Sequence, residues 1–148
     1  SAFSGVSAIT GLTFGQICDD KYARKVAQAI LKECFDVAVA CKIKPAKVQG
    51  HDVAKILGYR TALKKFISYL IIPVAMKKHR DIISGMYCDL AAGRLCEIEF
   101  INGVVCEYGK RVCFPATLNG IICRTVHEIE RGERKISVDN LSVFNQYI

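Results

Sequence analysis

Apolar side chains recur every three to four residues along most of this chain, and this helical spacing constrains its fold more than any other feature. In residues 20–41, for example, Val26, Ile30 and Val37 share one side of the predicted helix. The 148 residues include only three prolines, and no long segment alternates apolar and polar residues as a strand would. The sequence therefore predicts a single all-α domain over residues 1–148, of a size that buries about two thirds of its unfolded surface.

The predicted helices follow from this spacing and from capping residues at their ends. They cover residues 2–10, 19–41, 51–57, 61–78, 84–92, 97–112 and 115–131, with a break at residues 11–15. Pro73 lies inside the fourth segment and should kink that helix or end it early. Residues 132–148 are predicted to be a tail, of which residues 138–148 pack on the domain or on a partner.

The net charge of +7 comes from 21 basic and 14 acidic side chains. Three clusters of basic residues fall at the ends of predicted helices, where the helix dipole favours cations. This pattern is typical of a solvated surface, so we expect neither nucleic acid nor a membrane as a partner. The longest apolar run, residues 67–76, is too short to span a bilayer and predicts a buried helix.

The eight cysteines do not form a metal-binding pattern. No two of them have the C-x-x-C spacing of zinc ligands, and only three histidines are available. We therefore predict no metal site, and reduced, mostly buried cysteines in a cytoplasmic protein. Because His51, His79 and His127 are scattered along the chain, they are predicted to be surface or capping residues. No P-loop or dinucleotide-binding glycine motif is present.

Two carboxylates stand close together beside an apolar stripe. Glu97 and Glu99 begin the predicted helix 97–112, and Asn102 follows about one turn later. On an α-helix the two glutamates would point about 200° apart, so one would face a cleft and the other water. The residues alone leave a second interpretation open, in which both glutamates only complement the positive end of the helix dipole.

Three segments around these carboxylates match, in the same order, a pattern known from one enzyme family. Residues 86–103 read Met-x-x-Asp-Leu-x-x-Gly-Arg-x-x-Glu-Ile-x-x-Ile-Asn-Gly, and residues 8–17 and 108–119 carry flanking motifs. Together they resemble the C-terminal domain of ketopantoate reductases. The likeness covers residues 4–131 and implies a helical domain similar to that of 6-phosphogluconate dehydrogenase-like reductases.

The resemblance also implies an activity. In that family a Rossmann domain binds NADPH, and the helical domain closes over 2-dehydropantoate, which is reduced to pantoate for pantothenate and coenzyme A biosynthesis. By resemblance Glu97 is the catalytic glutamate that hydrogen-bonds the substrate hydroxyl and helps to arrange a proton-donating lysine. Ser84, Gly85 and Asn102 are the predicted substrate-binding residues. The lysine and the Rossmann domain would precede Ser1, so we expect this chain to be inactive alone and to form a homodimer in the full-length protein.

The sequence departs from the family pattern at three positions. Gly85 stands where the family has a substrate-binding serine, and Cys88 replaces the usual glutamine. Cys113 stands where a helix-ending glycine is usual. The first two departures leave open a related reductase of another 2-oxo acid. A helical interaction or dimerisation module without catalysis is the alternative outside the enzyme class.

Overall fold

The computed structural model describes residues 1–44 and 56–148, and this part of the chain is all-α, as the apolar spacing predicts. The helices are α1 (Ala2–Thr10), α2 (Phe14–Asp19), α3 (Lys21–Ala40), α4 (Ala62–Ala75), α5 (Gly85–Ala91), α6 (Val104–Arg111) and α7 (Thr117–Glu130). A π-helix (Glu99–Gly103) leads directly into α6, and 3₁₀ helices cover Lys77–His79 and Val138–Phe144. The helix predicted over residues 51–57 lies largely outside the described residues.

Helix α1 forms the centre of the fold. It carries no charged side chain, and eight of its nine residues are buried. It packs against α3, α5, α7 and the final 3₁₀ helix, and its Ile9 belongs to the same core as Ile30, Ile122 and Phe144. A helix that is apolar on every side is stable only when it is covered on every side, which explains its central position.

The C-terminal residues pack on the domain, which confirms the first of their two predicted placements. Leu141 and Phe144 are buried in the core. Asn140 Nδ2 donates a hydrogen bond to the carbonyl oxygen of Ile9 at 2.8 Å, and the Ser137 N–H donates to the same oxygen at 3.1 Å. These two bonds satisfy a carbonyl near the C-terminal end of α1, so the tail completes the cap of that helix.

Capping residues explain most helix ends. Asp20 caps α3, Thr61 caps α4 and Ser84 caps α5, each by accepting a hydrogen bond from a backbone N–H in the first turn. Helix α4 contains Pro73 and ends at Ala75, earlier than residue 78, in agreement with the early end that a proline favours.

The predicted break at residues 11–15 is wrong in part, because α2 begins within it. Thr13 and Gln16 form a capping box: Thr13 Oγ1 accepts from the Gln16 N–H at 3.2 Å, and Gln16 Oε1 accepts from the Thr13 N–H at 2.9 Å. This reciprocal pair stabilises a short helix despite the surrounding glycines.

Helix α4 contradicts the expectation of a buried helix for the apolar run 67–76. Of its residues only Ser68 and Ile72 are buried, while Leu63 and Val74 are 69% and 72% exposed on the opposite face. The helix packs through one side against α2 and α3, and among the described residues its second apolar face stays exposed. Within the described part of the chain, no helix has both the length and the apolarity needed to cross a membrane.

The cysteines are less buried than their apolar surroundings predict. All eight are free thiols, but only Cys18 is buried, and Cys88 and Cys113 are exposed. Cys113 has a φ of 53°, in the left-handed region, and the following Phe114 N–H donates to the Gly109 carbonyl at 2.9 Å. The cysteine thus occupies the helix-ending conformation in which glycine is usual.

Candidate active site

Glu97 lies in a bend before the π-helix rather than inside a helix. The helix predicted from residue 97 begins after this glutamate, so the expected angle of about 200° between Glu97 and Glu99 on one helix does not apply. The Glu97 side chain is exposed, and among the described residues it makes no hydrogen bond or ion pair. Its carboxylate is therefore available to a ligand.

The residues on both sides of Glu97 are held by two side chains near the C-terminal end of α7, one through a backbone N–H and one through a side chain. The Cys96 N–H donates to Glu130 Oε1 at 2.9 Å. His127 Nε2 lies 2.7 Å from Glu99 Oε1, and its Nδ1 lies 2.8 Å from Glu130 Oε2. We call Cys96, Glu99, His127 and Glu130 the α7 clamp.

The charges of the α7 clamp support one another. Hydrogen bonds to Glu130 and then to Glu99 raise the pKa of His127. Burial pushes the pKa of Glu130 upward, but the Cys96 N–H and His127 outweigh burial, and the net shift is downward. Burial raises the pKa of the Cys96 thiol to about 11, so this group stays neutral at physiological pH. The arrangement favours an imidazolium between two carboxylates.

Asn102 lies in the interior, next to α1. Its Nδ2 donates to Asn119 Oδ1 at 2.9 Å, and Asn119 donates through its backbone N–H and its Nδ2 to Glu33 Oε1, both at 2.8 Å. Asn102 Oδ1 is buried without a hydrogen-bond partner among the described residues. A methyl group added at Gly5 of α1 would lie 3.2 Å from this oxygen and 2.9 Å from Ile122 Cγ2. The close approach of α1 to the π-helix therefore depends on a glycine.

Ser84 and Gly85 stand at the N-terminal end of α5. Ser84 is buried, its Oγ accepts from the Met86 N–H at 3.2 Å, and its own N–H donates to Ser7 Oγ of α1 at 3.1 Å. Gly85 is exposed, and a Cβ atom added there would meet no atom within 4 Å. The Ser84 hydroxyl is thus used as a cap, while Gly85 faces open space.

The predicted site residues are held by two different helices, α1 and α7. Ser84 and Asn102 contact α1 at positions only two residues apart, Ser7 and Gly5. Glu97 belongs to the segment that α7 holds. Among the described residues, no hydrogen bond joins Glu97 to Ser84 or Asn102, so any ligand that contacts all three would have to bridge them.

A groove of the domain lies apart from these residues. It has a volume of about 970 Å³ and runs between α6, the turn that follows it and the start of α7. Phe100, which is 85% exposed, stands at its edge together with Glu99. None of the predicted site residues lines this groove. We therefore base the candidate site on the exposed Glu97 carboxylate and not on the size of the groove.

The described residues contain no group of three or more His, Cys, Asp or Glu side chains arranged to hold a metal ion. They also contain no strand that could lead into a glycine-rich nucleotide-binding turn.

Sequence reasoning missed four residues that support the site, namely Glu33, Asn119, His127 and Glu130. One signal was present, because Glu130 stands in the last turn of α7, where the helix dipole disfavours a carboxylate. A carboxylate at such a position needs a local partner, and His127 lies three residues before it on the same face. The contact of Glu130 with the Cys96 N–H depends on the tertiary fold and has no local signal.

Comparisons with known proteins agree with this architecture. Residues 1–130 match the family model described as "Ketopantoate reductase PanE/ApbA C terminal". Over 127 residues the chain is 28% identical to the 2-dehydropantoate 2-reductase of Pyrococcus horikoshii, covering 82% of this chain and 34% of that protein. The crystal structure of a PanE/ApbA family ketopantoate reductase from Ralstonia eutropha JMP134 matches with a TM-score of 0.66 and 24% identity, over 90% of this chain and 39% of that one.

The fold and the family match place this chain among helical C-terminal domains. The chain belongs to the ketopantoate reductase family, because the model of the family's C-terminal domain matches most of its length. It spans only about a third (34%) of the length of the relative from Pyrococcus horikoshii.

Proposed function

We propose that this chain is the substrate-binding domain of an NADPH-dependent 2-dehydropantoate 2-reductase and that it is inactive without its Rossmann domain. The observation that carries the proposal is the state of Glu97: the motif glutamate has an exposed carboxylate without a partner among the described residues, between neighbours that contact α7 on both sides. The family match over residues 1–130 supports the same substrate class.

In the proposed reaction the keto carbon of the substrate gains a hydride and the keto oxygen gains a proton, so a 2-hydroxy acid and oxidised cofactor result. NADPH supplies the hydride when it is bound, mainly by residues outside this chain. Glu97 accepts hydrogen bonds from the substrate hydroxyl and from the lysine that the resemblance places before Ser1. A carboxylate in a closed cleft orients both groups for proton transfer, because the surrounding water is excluded.

Ser84 and Asn102 are proposed to shape the substrate site from the side of α1. The Ser84 hydroxyl already accepts a backbone hydrogen bond, but it can still donate one to a substrate oxygen. Asn102 is 0% exposed, so a direct substrate contact would need the π-helix to open. We propose that Asn102 instead holds the π-helix against α1 and so acts on the site indirectly.

A second candidate function is the reduction of another 2-oxo acid, and Gly85 is the observation that favours it. The position faces open space and offers no hydroxyl where the family has a serine. A substrate without the polar group that would bind the serine hydroxyl loses no hydrogen bond when glycine stands at this position.

The test is turnover of NADPH by the full-length protein with 2-dehydropantoate and a panel of other 2-oxo acids. We expect 2-dehydropantoate to be the best substrate, and no turnover of any 2-oxo acid would refute the proposal. Gly85→Ser is the matched variant, because the added side chain meets no atom within 4 Å. We expect it to change kcat/KM for 2-dehydropantoate by less than about twofold. A gain of about tenfold, the worth of one hydrogen bond, would show that the natural substrate is a different acid.

Two further expectations concern the whole protein. Homodimerisation remains a prediction from the resemblance, and the mass of the full-length protein in solution, measured by light scattering, would check it. The cytoplasmic location predicted from the cysteines is checked by fractionating cells that express the full-length protein. Neither result changes the role proposed for Glu97.

A further inference from the structure

The α7 clamp surrounds Glu97 in sequence without touching its side chain. On one side the Cys96 N–H, one residue before Glu97, donates to Glu130 at 2.9 Å. On the other side the Glu99 carboxylate, two residues after it, meets His127 at 2.7 Å. His127 and Glu130 are joined to each other at 2.8 Å, so the two attachments form one unit on α7.

The remaining residue of this segment is also fixed. Ile98 is 1% exposed and belongs to the hydrophobic core. Cys96, Ile98 and Glu99 are thus held by a hydrogen bond, by burial and by an ion pair, while the side chain of Glu97 is exposed and has no partner among the described residues. A group whose backbone is fixed but whose functional atoms are open is suited to orienting a ligand, because little freedom is lost on binding.

We propose that His127 and Glu130 are positioning residues that fix the direction of the Glu97 carboxylate. This inference rests on the proposed function, since it needs Glu97 to contact the substrate. Glu130 has the larger part: its side chain is only 7% exposed, and it contacts both Cys96 and His127. His127 contacts Glu130 through Nδ1 and Glu99 through Nε2, and so links Glu130 to Glu99.

A purely structural role for the clamp leads to different expectations. The contact between His127 and Glu99 has side chains that are 37% and 63% exposed, and such open ion pairs contribute little to stability. If the clamp served only stability, variants would lose folded protein and not turnover per folded molecule. If it positions Glu97, its loss should lower kcat, because a misdirected carboxylate fails in the transition state.

The experiment uses the full-length protein and five variants assayed below their unfolding temperatures. Glu130→Ala should lower kcat about five- to twentyfold with KM changed less than about twofold, since orientation and not binding is lost. Glu130→Gln should stay within about threefold of the wild type, because its amide oxygen still accepts from the Cys96 N–H. Glu128→Ala is the matched control. Glu128 lies two residues before Glu130 on α7 but pairs with Arg134 at 2.6 Å, so its loss should leave kcat unchanged.

The fourth variant is Glu97→Ala, and the fifth combines it with Glu130→Ala. If Glu130 acts through Glu97, Glu130→Ala should lower kcat by no more than about twofold in the Glu97→Ala background. An equal loss in both backgrounds, or a wild-type kcat for Glu130→Ala, would overturn the proposal.

Hydrogen exchange separates failure of this inference from failure of the proposed function. If the wild-type protein reduces no 2-oxo acid, the proposed function is wrong, and the catalytic part of this inference is wrong with it. The clamp itself is then tested by the Cys96 amide, which should exchange at least about tenfold faster in Glu130→Ala than in Glu128→Ala. Equal exchange in the two variants would show that no clamp exists.

Discussion

The two ends of α7 carry out different tasks with similar side chains. At the N-terminal end Glu33 accepts from the Leu118 N–H at 2.9 Å and from the Asn119 N–H at 2.8 Å, so a carboxylate caps the helix where the dipole favours it. At the C-terminal end the carboxylate of Glu130 opposes the dipole and depends on His127 and the Cys96 N–H. Between them, α7 holds residues 96–102 from both ends.

The difference between these ends is mainly one of burial. Asn102 and Asn119 are both 0% exposed, so every hydrogen bond at that end replaces one that water would otherwise supply. His127 and Glu99 are open to solvent, so water can replace their contact at little cost. Similar hydrogen bonds therefore support the fold at one end and, in our account, the direction of one carboxylate at the other.

Asn119→Ala tests the buried end and should have the largest effect on stability. It leaves Asn102 Nδ2 without its acceptor and removes one of the donors to Glu33. We expect a loss of roughly 2–3 kcal/mol in the free energy of unfolding, measured with denaturant, because a buried amide becomes unsatisfied.

The matched control is Thr117→Ala, two residues earlier on the same helix. Thr117 is exposed, and among the described residues its side chain makes no hydrogen bond. Its replacement should change the free energy of unfolding by less than about 0.5 kcal/mol. Equal effects of the two substitutions would remove the contrast between the ends of α7.

His127→Gln tests the exposed end and should have a small, pH-dependent effect. Its neighbours raise the pKa of His127 above the usual value of 6.5. A raised pKa in the folded state stabilises the protein fully below the unfolded pKa, and this stabilisation is lost as the pH rises through the folded pKa. Because the site is exposed, we expect the variant to be only a few tenths of a kcal/mol less stable near about pH 5.5.

The comparison that checks this sign is unfolding of both proteins again at an alkaline pH above the raised pKa of His127, where the stabilisation by the imidazolium is lost. The difference between variant and wild type should shrink there. A difference that grows with pH would contradict an imidazolium between Glu99 and Glu130.

The sequence predicts much of this fold because its helix signals are local. Asp20, Thr61 and Ser84 each cap a helix by accepting a hydrogen bond from a backbone N–H only two or three residues further along the chain. Tertiary effects explain the failures. Helix α4 has a second apolar face that no described element covers, and burial cannot be deduced from apolarity when the number of neighbours is unknown.

The site follows the same division. The motif indicates Glu97 as the candidate, and the structure shows its carboxylate to be open. The π-helix and the bend before it change which way Glu97 and Glu99 point, and neither irregularity has a signature in residue spacing. The α7 clamp joins residues about thirty positions apart, so only the folded chain reveals it.

The central claim, that Glu97 acts on the substrate, is tested most directly by kcat/KM for 2-dehydropantoate in the full-length protein. Glu97→Ala should lower this value at least about tenfold, since an orienting hydrogen bond in the transition state is lost. Glu107→Ala is the control, because Glu107 is another exposed glutamate and, within the described part of the chain, pairs only with Arg111 on its own helix. A wild-type value for Glu97→Ala, or an equal loss in both variants, would contradict the claim.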